Sequence, residues 1–199
     1  MSNKVYVFKV FERFWHWSQA ALIISLLVTG FEVHGSYKLF GFQNAVAAHT
    51  VLAWSLVGLW LFAIFWHFTT GEWKQYIPTL QKVDAMVKFY LYGIFTDAPH
   101  PFNATPLKKH NPLQRLAYLF ILVAVGPMLW ITGWCYIFYD NWTAWGWDQY
   151  LSLPWVATLH ALAAYMMLIF VIAHVYLTTA GHTPMAHIKA MITGWEETD

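Results

Sequence analysis

Four long apolar runs separated by shorter polar stretches set the pattern of this chain: residues 14–33, 42–68, 113–138 and 154–179. A helix needs ~20 apolar residues to cross the hydrocarbon core of a bilayer, so the pattern predicts four membrane-spanning helices. Between the second and third runs, the connection 69–112 is too long for a turn. Its centre, Tyr76 to Phe95, interleaves Leu80, Val83, Met86, Val87 and Tyr90 with Lys82, Asp84 and Lys88, a partial 3.6-residue pattern suited to a helix lying on the membrane surface. Asp97 to Pro112 carries Pro99, Pro101, Pro106 and Pro112 and reads as irregular. The tail 180–199 predicts a short helix with Pro184 as its first residue, and Gly126-Pro127 predicts a bend in the third span.

Composition places these runs in lipid. Of 199 residues, 59% are hydrophobic, 20% aromatic and 11% charged, against about 25% charged in a soluble domain. The expected fold is all-α and integral to the membrane: one domain over 1–199, a four-transmembrane-helix bundle with a cytoplasmic amphipathic connection. No A-x-A-like site closes the first run, so it is expected to be a retained span rather than a signal peptide.

Charge orients the bundle. Ten of the eleven basic residues (Lys4, Lys9, Arg13, Lys74, Lys82, Lys88, Lys108, Lys109, Arg115 and Lys189) fall on one side and only Lys38 on the other. The positive-inside rule then makes both termini cytoplasmic. The loops 34–41 and 139–153 face outward, and in the second Trp142, Trp145, Trp147 and Tyr150 read as an interfacial belt, with a docking surface for an outer partner as the alternative. A net charge of +1 with no basic patch leaves no case for nucleic acid. Lipid is the expected surrounding.

The single cysteine, Cys135, excludes an intramolecular disulfide, a Cys-rich zinc site and a Cys-ligated cluster, and there is no CxxCH for covalent haem attachment. A redox centre in a chain with ten histidines and one cysteine must be held by histidine. His160 and His174 share the fourth run, within about 40° of one helix face and ~21 Å apart along its axis. A titratable residue inside a span is a functional-site hypothesis. Counting ~1.5 Å per residue from the outer boundary puts His160 ~9 Å deep and His174 ~30 Å, with His49 ~11 Å and His16 ~23 Å. Two cross-helix pairs emerge, His49 with His160 near the outside and His16 with His174 near the inside. Paired axial imidazoles suit haem b, with a bis-histidine zinc or copper site or interhelical hydrogen bonds as competing readings. Gly58, Gly126 and Gly133 offer room for a porphyrin. His67, on the same face of span two as His49 and ~38 Å deep at the headgroup level, is the alternative inner ligand and otherwise an interfacial residue. His34 and His100 fall in loops, and His110, His182 and His187 near the cytoplasmic surface.

Several motifs extend this reading: Glu12-Arg13-Phe14-Trp15-His16-Trp17 opening span one, Leu27-Val28-Thr29-Gly30 closing it, His49 early in span two, Thr70-Gly71-Glu72-Trp73 after it, Asn111-Pro112-Leu113-Gln114-Arg115 opening span three, and His160 with His174 in span four. With these, nearly the whole chain resembles the two-haem cytochrome b subunits that anchor nickel–iron hydrogenase, formate dehydrogenase and thiosulfate-reductase-type complexes. The resemblance implies two haem b groups, an outer one on His49 and His160 and an inner one on His16 and His174. It also implies a quinone site at Asn111, with His110 and Gln114 as neighbours; a helix cap followed by Pro112 explains Asn111 equally well. Arg13 and Arg115 are candidate propionate partners, although basic residues at this boundary are also explained by orientation.

The expected function is electron transfer between a membrane quinone/quinol pool and a periplasmic redox partner, either a metalloenzyme or a multihaem cytochrome, across a bacterial inner membrane. A free-standing superoxide:quinone oxidoreductase is the alternative, but Lys38 is the only outer cation and Asp140 and Asp148 oppose it. A haem-free anchor or transporter is the third class. A faint echo links Val28-Thr29-Gly30-Phe31 with Ile131-Thr132-Gly133-Trp134, each near the outer end of an outward-running span.

Overall fold

The computed structural model describes residues 3–96, 98–99, 101–102, 104–179, 183 and 185–198. Asp97, His100, His182 and Pro184 lie outside the described residues. Four helices are long and apolar enough to cross a membrane: Val10–Val33, Phe42–Thr70, Pro112–Ile137 and Leu153–Thr178. Large apolar side chains such as Phe14, Ile24, Phe62, Phe65, Leu122, Ile169 and Ile172 stand exposed along them, as expected where lipid is the solvent. The all-α membrane architecture read from the apolar runs is therefore present. Span one begins at Val10 rather than residue 14, because Lys9 N donates to Glu12 Oε2 at 2.7 Å and closes a helix start ahead of the apolar run.

The chain divides into two compact units, Met1–Ala117 with His174–Asp199, and Tyr118–Ala173. In the first, spans one and two form an antiparallel hairpin. Buried Glu32 shapes its short loop: Oε1 accepts the N–H groups of Leu39, Phe40 and Gly41 at 2.8, 2.7 and 2.7 Å. A carboxylate here satisfies donors at the start of span two and complements its dipole. The connection is shorter in helix than its pattern predicts. A 3-10 turn covers Glu72–Tyr76, Lys82 takes a left-handed conformation (φ 62°), and the helix runs only over Val83–Leu91. Pro78 and the Lys82 turn interrupt the periodic stretch.

A two-stranded antiparallel sheet joins the termini, pairing Asn3–Tyr6 with Trp195–Thr198 from Asn3 opposite Thr198 to Tyr6 opposite Trp195. Gly194 makes the turn into it at φ +89°; a Cβ there would lie 2.5 Å from the Tyr6 ring and 2.7 Å from the Phe8 carbonyl. The tail helix spans Ala186–Thr193. It is tied to span one by Arg13 Nη1 donating to the Ile192 carbonyl (2.6 Å) and Trp17 Nε1 donating to the Met191 carbonyl (3.1 Å).

The second unit holds most of spans three and four and the loop between them. Just before Gly126-Pro127 span three forms a π turn over Ile121–Val125, where the Gly126 N–H reaches back to Ile121 O. Pro127 has no N–H, and its ring would clash with the carbonyl four residues back, so the helix widens just before it. At the other end Cys135, Trp142 and Val156 form a buried cluster with Leu151, and Trp142 Nε1 donates to the Cys135 carbonyl at 3.0 Å. Of the loop aromatics, Trp142 is thus core, whereas Trp145, Trp147 and Tyr150 are exposed as a belt requires.

Candidate functional site

Histidines collect in the first unit at the end that carries the termini. The imidazoles of His16 and His174 face one another with ring centroids 6.1 Å apart and planes at 50°. His16 Nδ1 is buried with no hydrogen-bond partner. His67 is buried rather than at a solvated headgroup level: its Nδ1 lies 2.7 Å from the Ala63 carbonyl, and the rings of Trp15, Trp66 and Tyr76 stand edge-on at 5.0, 5.0 and 5.4 Å. A carbonyl can only accept, so Nδ1 carries the proton and Nε2 holds a buried lone pair, which has no partner.

His49 and His160 are held by a different device, which occurs once in each unit. In the first unit the Thr29 hydroxyl lies 3.0 Å from His49 Nδ1 and donates to the Ser25 carbonyl at 2.9 Å. In the second, the Thr132 hydroxyl lies 2.8 Å from His160 Nδ1 and donates to the Met128 carbonyl. A hydroxyl has one proton; with that proton spent on the helix carbonyl, the oxygen accepts from Nδ1–H. The network therefore assigns the Nδ1–H tautomer to both rings, which makes Nε2 the nitrogen with ligand character. The glycine after Thr29 lets the ring approach closely, and the one after Thr132 stands at ordinary contact distance from its ring. A Cβ at Gly30 would lie 3.1 Å from His49 Cε1, and one at Gly133 3.6 Å from His160 Cε1. An apolar hollow of about 470 Å³ between spans one and two, lined by Ile24, Thr29, Phe40 and Ala48 among others, adjoins the His49 seat. Gly58, by contrast, faces open space.

Polar groups at the terminal end form a closed network. Lys109, only 5% exposed, reaches both carboxylate oxygens of Glu12 at 2.7 and 2.9 Å and Glu72 Oε2 at 2.9 Å, while Lys9 Nζ lies 2.6 Å from Glu72 Oε1. Burial raises the Glu72 carboxyl, but the hydrogen bonds from Lys9 and Lys109 outweigh it and hold the group below the usual carboxylate range. Glu12 and Glu72 belong to two of the sequence motifs, and their shared partner explains both. His110 packs on Tyr76 at 5.1 Å. Burial, followed by the nearby charges of Arg115 and Lys109, pushes its pKa down to about 3, so it is neutral at physiological pH.

Asn111 and Gln114 are a reciprocal cap for span three: Asn111 Oδ1 accepts the Gln114 N–H at 2.8 Å and Gln114 Oε1 accepts the Asn111 N–H at 2.9 Å. The remaining amide of Asn111 donates to the Tyr90 hydroxyl at 3.1 Å. Arg115 Nε donates to the His110 carbonyl at 3.0 Å and its Nη1 to the Ile77 carbonyl at 3.2 Å. Arg13, bound to Ile192, keeps a buried Nε without a partner.

These residues fit a haem. Two metal–nitrogen bonds of about 2 Å, with half of each imidazole ring added, put facing ring centroids about 6 Å apart, which the His16–His174 separation of 6.1 Å matches. Among the described residues no group of three or more His, Cys, Asp or Glu is arranged to hold a metal ion. Thr29, Thr132, Tyr90 and Lys109 were not singled out as site residues by the pattern. For the threonines the signal was the Thr-Gly echo.

A family model described as prokaryotic cytochrome b561 matches residues 7–194. The chain is 31% identical over 201 residues to a putative cytochrome YdhU of Escherichia coli (strain K12), covering 97% of this chain and 75% of that protein. It is 27% identical to a probable Ni/Fe-hydrogenase B-type cytochrome subunit of Cupriavidus necator, covering 86% of this chain and 77% of the relative. A protein of the same description from Azotobacter vinelandii is 26% identical, over 96% and 88%. No solved structure matches the chain.

Proposed function

The chain belongs to the prokaryotic cytochrome b561 family, and from that premise we propose that this b-type cytochrome of a bacterial membrane passes electrons between a quinone/quinol pool at the end carrying its termini and a redox metalloenzyme on the opposite face. The observation that carries the reading is the His16–His174 pair, two imidazoles from different spans at 6.1 Å. His49 and His160, each with Nδ1 against a threonine hydroxyl, would be the ligands of a second haem b through Nε2. Bound haem supplies a one-electron ferric/ferrous couple, and bis-imidazole coordination favours electron transfer over binding of small molecules.

The protein supplies position and insulation. The span that carries His16 is tied at its start by the Lys109 network and to the tail helix through Arg13 and Trp17. Arg13 Nε is the donor left for a propionate of the inner haem. At the quinone, Asn111 acts through Tyr90: its oxygen caps span three, while its amide holds the phenol whose O–H can donate to a quinone carbonyl. The excess of basic residues at this end supports a cytoplasmic placement. A metalloenzyme partner is supported by the relatives named as Ni/Fe-hydrogenase cytochrome subunits.

Haem counting on the purified full-length chain tests the ligand set. His16→Ala is expected to lose one of two haems and His67→Ala to retain both. Loss of a haem on His67→Ala, with both retained on His16→Ala, would overturn the assignment.

A further inference from the structure

We infer that Thr29 and Thr132 are positioning residues that seat the outer ligand pair by its Nδ1–H groups and thereby set the outer haem at a lower reduction potential than the inner one. The inference rests on the proposed pairing of His49 with His160. Its own ground is the repetition of one local geometry in two separate units. Each threonine donates to a carbonyl of its own helix, accepts from the histidine of the next helix at 3.0 or 2.8 Å, and is followed by a glycine against the same ring. Both outer ligands have this seat. In the inner pair, His16 Nδ1 is buried with no acceptor.

An imidazole whose Nδ1–H donates a hydrogen bond is a more basic ligand. Greater basicity stabilises ferric over ferrous iron, and outer-shell hydrogen bonding is one of the means by which a protein sets a haem potential. Two seated ligands thus lower the outer couple, while an unsupported His16 leaves the inner one higher.

The test is a potentiometric titration of the haem α-band in full-length protein carrying Thr29→Val, Thr132→Val or the corresponding Thr→Ser changes. His49→Ala and His160→Ala identify the outer component by its loss. Each valine variant is expected to raise the midpoint of the lower component and leave the other in place, with serine restoring the original value. Unchanged midpoints with both haems retained, or serine shifting as far as valine, would sink the threonine role while leaving the ligand pairing standing. If Thr29→Val and Thr132→Val move different components, the pairing fails, and the asymmetry with it. Should a valine variant lose its haem, the unaltered oxidised protein gives the same answer. Near-infrared charge-transfer transitions follow ligand basicity, so differently seated sites give two bands; a single band overturns the asymmetry.

Discussion

Gly30 and Gly133 look interchangeable in sequence, each following a threonine that seats a histidine, yet their clearances differ. An added methyl at Gly30 meets His49 Cε1 at 3.1 Å, and that ring is already held by Thr29 at 3.0 Å, so it must shift against its own hydrogen bond. At Gly133 the distance is 3.6 Å, an ordinary contact. Gly30→Ala is therefore expected to cost about 1–3 kcal/mol as overpacking and to lower haem retention, while Gly133→Ala stays close to the parent; haem-to-protein ratio and melting temperature in detergent check both. His110 supplies a second prediction at this scale. Its folded pKa, about 3, lies below the ordinary histidine value. The unfolded chain consequently binds a proton first as pH falls. The contribution is complete above about pH 6.5 and is lost progressively down to the folded pKa, at about 1.4 kcal/mol per pH unit for one proton. His110→Asn is expected to flatten the acid limb of a stability-versus-pH curve by about one proton; an unchanged slope would show that His110 is solvated.

At the scale of elements, the Lys109 network joins the start of span one, the end of span two and the entry to span three through Glu12 and Glu72. Removing one partner from a buried pair strands the others, at about 3–5 kcal/mol. Lys109→Met leaves two carboxylates at one site and is expected to lower the melting temperature more than Lys108→Met at its exposed neighbour; equal effects would make the network ornamental. None of this could be read from the chain, where Lys109 is one more cation at a boundary and burial depends on residues 97 positions away. The spans were legible because lipid asks only for length and apolarity. The irregularity of span three was legible in Gly126-Pro127, since proline's missing N–H acts locally. The terminal sheet was not, because four residues at each end carry no pattern until the Gly194 turn brings them together. Histidine pairs could be ranked by depth, but the threonine seats were visible only as a four-residue echo, too short to separate a shared role from coincidence.

For the whole molecule, the tail helix and the strand that follows it act on one end alone. Arg13 and Trp17, on either side of His16 along span one, both donate to tail-helix carbonyls, and the strand beyond pairs with the residues that lead into span one. The tail thus braces the segment that carries one inner ligand. The Thr132–His160 seat lies wholly in the other compact unit and makes no use of the tail. Truncation after residue 185 should therefore separate the two sites. Loss of the brace frees the first turns of span one, exposes the Arg13 guanidinium and loosens His16, while Thr132 and its helix continue to hold His160. The expected result is a chain that retains the haem lost in His160→Ala and releases the one lost in His16→Ala, read by haem content and by the surviving midpoint potential. Equal loss of both haems would mean that the tail supports the protein as a whole, and retention of both would mean that His16 needs no brace beyond its own helix.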